Sequence, residues 1–309
     1  MKIVFMGTPD FAVPVLEGLI ENYEVVLVVS QPDKKVGRHQ VLTNTPIKEV
    51  ALKNNIEVFQ PVKIKEDYQK IIDINPDLIV TCAYGQIIPK ELLDCPRLGC
   101  INVHASLLPN LRGGAPIHKA IIDGYDKTGI TIMYMDVKMD NGDIISQREI
   151  EILDSYNLED LHDKLSVIGK ELLLDTMPSI IDGSNNRIKQ DEELVTYAYN
   201  IQREEEHIDF NKSSREIFNL IRGLCPVPGA NAVLDDKEVK IYGSIIGNNK
   251  YSNKVCGEIC SVNKEGISVC TGDGEIIITE IKPFGKKKMD AYSYVNGIGK
   301  DNLIGKVFK

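Results

Sequence analysis

No run of apolar residues in this chain is long enough to span a bilayer, and no secretory leader is expected. Met1-Lys2 leads only into a short strand-like segment, so a cytoplasmic protein without membrane contact is expected. An excess of positive charge is also lacking. The formal net charge is −9, which at face value argues against a nucleic-acid partner. Paired metal-ligand spacings are absent too. The 7 cysteines are odd in number and scattered, and Cys256 and Cys260 (C-x3-C) are followed by no second Cys/His pair, so no metal site is expected. Cys82, Cys95 and Cys100 fall in or beside apolar strands, as reduced thiols do. The first strand runs into Gly7-Thr8-Pro9-Asp10-Phe11-Ala12, which has one glycine where a dinucleotide fingerprint needs three. NAD, FAD and dehydrogenase chemistry are thereby disfavoured. There are no internal repeats or low-complexity tracts.

What is present is an ordinary globular composition, 43% hydrophobic and 26% charged over 309 residues, enough for one large domain or two. Apolar strands at Lys2–Met6, Val25–Ser30, Val58–Phe59 and Leu78–Ala83 alternate with helical patterns after Asp10, after Thr45 and around Tyr68–Ile74. That alternation predicts a doubly wound, mostly parallel sheet, whose ligands bind beyond the strands' carboxyl ends. Tyr84 and Gly85 follow such an end. A long amphipathic helix over Asn157–Ile181 then packs on the sheet. We expect a first domain over 1–183, a polar linker over 184–203 and a second domain over 204–309. Past Glu204 one helix (Ser213–Leu224) precedes five short strands, with hairpin turns at Asp235-Asp236 and Asp273-Gly274, the grammar of a small, partly open antiparallel barrel. From Phe210 onward there are 15 Lys/Arg against 11 Asp/Glu, so the acidic excess sits in the preceding residues. Lys286, Lys287 and Lys288 form the densest basic run. A lysine triplet is usually only solvated, but beside this charge split it is a candidate for a nucleic-acid backbone.

The chain's chemistry concentrates between Cys100 and Asp143. Asn102 and His104 interrupt an otherwise apolar strand, and alternate strand residues share a face, about 6.6–7 Å apart. Burying two such groups unpaired would cost roughly 1–3 kcal/mol each. A second strand, Thr128–Val137, ends in Asp140-Asn141-Gly142-Asp143. If the two strands lie side by side, Asp140 falls at the same sheet end as His104, and an amide, an imidazole and a carboxylate converge. Each also has an ordinary reading, as a satisfied core histidine or a turn aspartate.

The order Asn-x-His-x-Ser-Leu-Leu-Pro followed by Asp-x-Gly-Asp resembles the formyltransferases that use 10-formyltetrahydrofolate. So do MKIVFMGTPDFAVPVLEGL, QPDKKVGR, ITIMYMDVKMDNGD, LVTYA, TGDG and FGKKKM, which together span essentially the whole chain. The resemblance implies an α/β, Rossmann-like catalytic domain joined to an OB-like β-barrel. It implies transfer of a formyl group from 10-formyltetrahydrofolate, as co-substrate, to the α-amine of methionyl initiator tRNA, for translation initiation. The amine would attack directly through a tetrahedral intermediate, with Asn102, His104 and Asp140 as the catalytic set. It also implies a folate site around Ser106, Leu107, Leu108 and Pro109, joined by Tyr84, Gly85 and Ile88. Arg38, in the family's Gly-Arg step, would contact the tRNA, although the Lys-Lys pair often found further on is replaced by His39, Gln40 and Val41. The lysines 286–288 would serve the same partner from the barrel. A monomer is expected. Family members that formylate nucleotide sugars or glycinamide ribonucleotide are the nearest alternatives. The second domain counts against the purine enzymes, and GTPDF with QPDKKVGR favours tRNA over a sugar. A non-catalytic nucleic-acid binder is disfavoured by the complete Asn-His-Asp set.

Overall fold

The computed structural model describes residues 1–37 and 39–309, so the expectation for Arg38 lies outside the described residues. The chain packs as two compact units. The first holds Met1–Pro116, Lys127–Glu151 and His162–Tyr199, and the second Ile117–Asp126, Ile152–Leu161 and Asn200–Lys309.

In chain order, β1 (Lys2–Gly7) leads to α1 (Val13–Asn22), which turns Val15, Leu16 and Leu19 into the core. Next come β2 (Glu24–Val29) and two short paired strands, β3 (Lys34–Val36) and β4 (Val41–Thr43), whose own six residues are exposed. Helix α2 (Pro46–Lys53) begins where Thr45 accepts from the Lys48 N–H at 3.3 Å and proline occupies the first turn, a position that needs no N–H. There follow β5 (Val58–Phe59), α3 (Gln69–Ile74), β6 (Leu78–Cys82), α4 (Lys90–Leu93) and β7 (Cys100–His104). Then come α5 (Pro116–Ile122), β8 (Lys127–Tyr134), β9 (Ile144–Glu151) and the long α6 (Leu158–Asp182). The seven strands lie in the order β5-β2-β1-β6-β7-β8-β9. The first five run parallel, and β8 and β9 are antiparallel additions. This is the expected mostly parallel, Rossmann-like sheet.

The second unit begins with α7 (Ser214–Gly223), opened by a capping box in which Ser213 and Glu216 satisfy each other's backbone N–H groups. Strands β10 (Ala230–Leu234), β11 (Lys237–Ile246), β12 (Ile259–Val262), β13 (Ile267–Cys270) and β14 (Glu275–Lys282) form an antiparallel sheet in the order β10-β11-β14-β13-β12. A short β15 (Met289–Asp290) pairs with β14, and α8 (Ala291–Ile298) follows. The last residues join the sheet's two edges. Lys309 exchanges hydrogen bonds with Val233 on β10, while Ile259 on β12 donates to Lys306 and Phe308 donates to Gly257. Phe308, Ile241, Ile278 and Leu224 lie in the single core beneath. The tail thus completes the expected OB-like barrel.

Two parts of the anticipated domain division fall elsewhere. The stretch 184–199 is packed into the first unit rather than strung out as a linker, because its backbone pairs with residues 112, 115 and 144. Conversely, residues 117–126 and 152–161 belong with the second unit. Arg222 there donates to the carbonyls of Leu153 (2.8 Å) and Tyr156 (3.1 Å), and Ile122 packs on its core.

Candidate active site

β7 is a central strand, buried at Cys100, Ile101, Val103 and His104, and it delivers Asn102 and His104 to one face. Its neighbour β6 supplies Thr81, buried and paired with Asn102 in register, whose hydroxyl donates to Asn102 Oδ1 at 2.8 Å. The amide's acceptor is thereby occupied and its N–H2 group is left to point away. His104 is 6% exposed, and its Nε2 lies 3.1 Å from the Leu111 carbonyl. A carbonyl only accepts, so Nε2 carries the proton and Nδ1 is the nitrogen left with a lone pair. Facing Nδ1 at 3.8 Å is Asp140 Oδ1. The other carboxylate oxygen, Oδ2, accepts from the Gly113 N–H at 2.8 Å.

Asp140 reaches this place by a route that the sequence does not reveal. β7 and β8 pair antiparallel, with His104 opposite Thr131 and Ile101 opposite Tyr134, so β8 ends beside the start of β7. The shared sheet end that we expected for His104 and Asp140 is therefore not what joins them. The chain between Tyr134 and Ile144 brings the carboxylate back to the imidazole. Three non-glycine residues around the site hold left-handed backbone: Asp140 (φ 50°), Leu111 (φ 61°) and Ala83 (φ 48°). Such conformations cost roughly 1–3 kcal/mol each and persist only where neighbours impose them. Here the neighbour of Leu111 and Asp140 is the strap 188–198. Thr196 accepts from the Leu111 N–H through Oγ1 (2.9 Å) and from the Arg112 N–H through its carbonyl (2.9 Å), and Ala198 donates to the Arg112 carbonyl (2.7 Å). Gln190 donates to the carbonyls of Asp140 and Gly142, each at 2.8 Å. Sequence reading missed Thr81, Leu111, Gly113, Gln190 and Thr196. Only Gly113, inside a glycine pair after Pro109, carried a visible signal.

The four residues of the Ser-Leu-Leu-Pro segment follow β7 after Ala105. Ser106 is fully buried, with Oγ donating to the Asn110 carbonyl at 2.6 Å. The Leu108 N–H donates to Thr131 Oγ1 (3.1 Å), and the Leu108 carbonyl accepts from Gln147 Nε2 (2.8 Å). Leu108 also packs with Met133 and Ile144. The polar groups of Ser106 and Leu108 are thus engaged inside the protein and fix the path of the loop. Tyr84 and Gly85 lie past the end of β6, where Thr8 and Gln31 donate to the Tyr84 carbonyl at 3.1 and 3.0 Å. Gly85 has φ 83°, and a Cβ there would meet the Gln31 amide nitrogen at 2.7 Å. Tyr84 and Ile88 are buried together in one core cluster. The Tyr84 hydroxyl has no hydrogen-bond partner among the described residues, and burial pushes its pKa up to about 12. A separate cleft of about 200 Å³ opens near the start of β7, lined by Cys100, Tyr134, Met135, Asp136 and Arg187 among others, and none of the anticipated folate residues lines it.

In the second unit Lys286, Lys287 and Lys288 are exposed and, with Lys282, Tyr242 and Pro226, line a cleft of about 470 Å³. Lys288 is paired with Glu280 at 2.9 Å and lies 5.4 Å above the Tyr242 ring. Among the described residues, no cluster of three or more His, Cys, Asp or Glu is gathered to hold a metal ion, and no helix is long and apolar enough to cross a membrane.

Residues 1–177 match the family described as formyl transferase, and residues 200–299 match the formyl transferase C-terminal domain. A protein of Staphylococcus epidermidis called methionyl-tRNA formyltransferase is 50% identical over 309 residues, covering 99% of both chains. A protein of the same name from Bacillus subtilis is 52% identical over 303 residues, covering 96% of this chain and 94% of its own. These findings show that the chain belongs to the formyl transferase family, within the group that bears the name methionyl-tRNA formyltransferase. The solved structure of WlaRD, a sugar 3N-formyl transferase described in the presence of dTDP and 5-N-formyl-THF, shares the fold. Its TM-score is 0.70 at 24% identity, over 93% of this chain and 99% of that one.

Proposed function

We propose that the protein transfers the formyl group of 10-formyltetrahydrofolate to the α-amine of methionyl initiator tRNA in the cytoplasm. The observation that carries this reading is the meeting of His104 and Asp140 at 3.8 Å on the face that also holds Asn102, in a chain half identical to proteins named for that reaction.

Attack of a neutral amine on a formyl carbon generates a tetrahedral oxyanion. The Asn102 N–H2 group, its carbonyl held by Thr81, supplies one donor to that oxygen. His104, once protonated at Nδ1, supplies a second, charged one. Preorganised donors of this kind are worth about 3–4 kcal/mol each when removed singly. Asp140 Oδ1 lies 3.8 Å from Nδ1, beyond hydrogen-bond distance and too close for an atom to fit between them, so a water or substrate group that touches both does so from beside the pair. The carboxylate accepts the proton that the amine loses, for return to the departing nitrogen. No covalent enzyme intermediate is needed. The folate substrate is assigned to the side of Tyr84, Gly85 and Ile88, past the end of β6, as the family resemblance implies. Backbone of the loop Ser106, Leu107, Leu108 and Pro109 holds the folate from the other side. The lysine cleft of the barrel takes tRNA phosphates, and Arg38 contacts the same partner, as the family resemblance implies. The protein acts as a monomer. Transfer of labelled formyl from 10-formyltetrahydrofolate to methionyl initiator tRNA tests the reading, and label appearing only on a nucleotide amino sugar replaces it with the sugar alternative.

A further inference from the structure

We infer that Gln190 is a positioning residue for Asp140, acting from a segment 50 residues away in sequence. Its side chain bridges a buried cation and a strained turn. Arg112 is 3% exposed and donates from Nε to Gln190 Oε1 at 3.0 Å and from its terminal nitrogens to Glu192 at 2.9 and 3.4 Å. A guanidinium only donates, so the amide oxygen must face Arg112 and the amide nitrogen must face the other way. There it meets two carbonyls, of Asp140 and Gly142, that only accept, each at 2.8 Å. The orientation of the amide is fixed from both sides.

The turn that Gln190 grips is one the chain would not hold unaided. Asp140 has φ 50°, and at Gly142 a Cβ would lie 1.8 Å from the Tyr134 carbonyl oxygen, so the 140–142 backbone is folded tightly against β8. Asp140 presents one carboxylate oxygen to the Gly113 N–H and the other toward His104 Nδ1, and both contacts depend on the turn's geometry. Gln190 touches no reacting group. Its effect on the reaction passes through the position of Asp140, and this inference rests on Asp140 belonging to the catalytic set.

The test is a double-mutant cycle. Gln190→Met keeps the chain length of the side chain and removes both donors; Gln190→Glu, which also removes them, serves if the methionine variant fails to fold. With 10-formyltetrahydrofolate and methionyl initiator tRNA, kcat is expected to fall about 10- to 100-fold, the size of effect that a roughly 1 Å misplacement produces. KM for each substrate is expected to stay within about two-fold. In an Asp140→Ala background the same change is expected to leave kcat unaltered, because the group it positions is gone. An unchanged kcat in the first background overturns the inference, as does an equal fold-loss in both, which would mark a general effect on folding. A crystal structure of Gln190→Met decides independently of turnover. An Asp140 carboxylate displaced from the Gly113 N–H and from His104 supports the inference, and one that has not moved overturns it. A wild-type chain that transfers no formyl to the tRNA overturns the substrate reading alone, and the crystallographic arm still judges Gln190.

Discussion

Adding a single methyl group at Gly113 tests the geometry of the site more sharply than deleting any catalytic side chain. Gly113 has φ 127°, and its N–H donates to Asp140 Oδ2 at 2.8 Å. An alanine Cβ there would lie 2.6 Å from the Ala198 carbonyl oxygen and 3.0 Å from its carbon. The obstacle is backbone, and it is tied down: Ala198 donates to the Arg112 carbonyl at 2.7 Å and accepts from the Ala115 N–H at 3.0 Å. Relieving the contact from 2.6 Å to an ordinary 3.4 Å moves the loop or the strap by roughly 0.8 Å. Overpacking of this kind costs about 1–3 kcal/mol, and a side chain at this φ adds about 1–3 more. Gly113→Ala is therefore expected to lower unfolding stability by about 2–6 kcal/mol. Since the shifted loop carries the N–H that holds Asp140, kcat should fall about 100-fold, equivalent to about 2.7 kcal/mol of activation free energy. Urea unfolding followed by circular dichroism reads the first quantity, and single-turnover formyl transfer reads the second. A folded variant with wild-type kcat would refute the idea that the strap and the Gly113 N–H set the carboxylate.

Replacing His104 or Asn102 by alanine should each cut kcat by about 10²–10³ with the fold intact, as circular dichroism would confirm; full activity in either variant removes that residue from the mechanism. Tyr84→Phe deletes a buried hydroxyl that has no partner among the described residues, so stability should hold or rise by up to about 1 kcal/mol; a clear loss in urea unfolding would show that the hydroxyl is hydrogen-bonded in solution. Changing Lys286 and Lys287 to alanine should flatten the salt dependence of tRNA binding by about two charge contacts and spare folate affinity, whereas Lys288, held by Glu280, should contribute less; an unaltered slope refutes the assignment. In the barrel, burial pushes the Glu275 carboxyl up, but hydrogen bonds from Ser268, Tyr251 and Asn249 outweigh it and leave the pKa below the ordinary value. Its charge thus stabilises the fold above about pH 4.3, and that contribution disappears as pH falls through the lowered folded value. Glu275→Gln should unfold about 1.5–3 kcal/mol more easily at pH 7, with the gap closing below about pH 4; a gap independent of pH contradicts the ionised assignment.

The sheet was legible because β1, β2, β6 and β7 are short, continuously apolar runs, as strands covered on both faces must be, and because polar Asn102 and His104 stand out against such a run. Their shared face followed from strand periodicity alone. What sequence could not supply was direction. Asp140 was placed near His104 on the assumption of a common sheet end, but antiparallel β8 finishes at the other end and the chain folds back. The polar strap 188–198 read as a linker because its work is done by backbone groups and by Gln190 and Thr196, and such residues look the same in a solvated connection. The left-handed residues Leu111 and Ala83 left no trace, since their conformation is imposed by distant neighbours. The exposed strands β3 and β4 were likewise read as a loop, for they have no buried side to pattern. The barrel's five strands were visible in their turns, but its closure by the last residues was not.

Transfer of radiolabelled formyl from 10-formyltetrahydrofolate, with methionyl initiator tRNA, methionyl elongator tRNA and free methionine offered in parallel, tests the central claim most directly. Label on the initiator tRNA alone is the predicted result. Absence of label on all three, with folate binding intact, would contradict the acceptor assignment and direct the search to amino sugars.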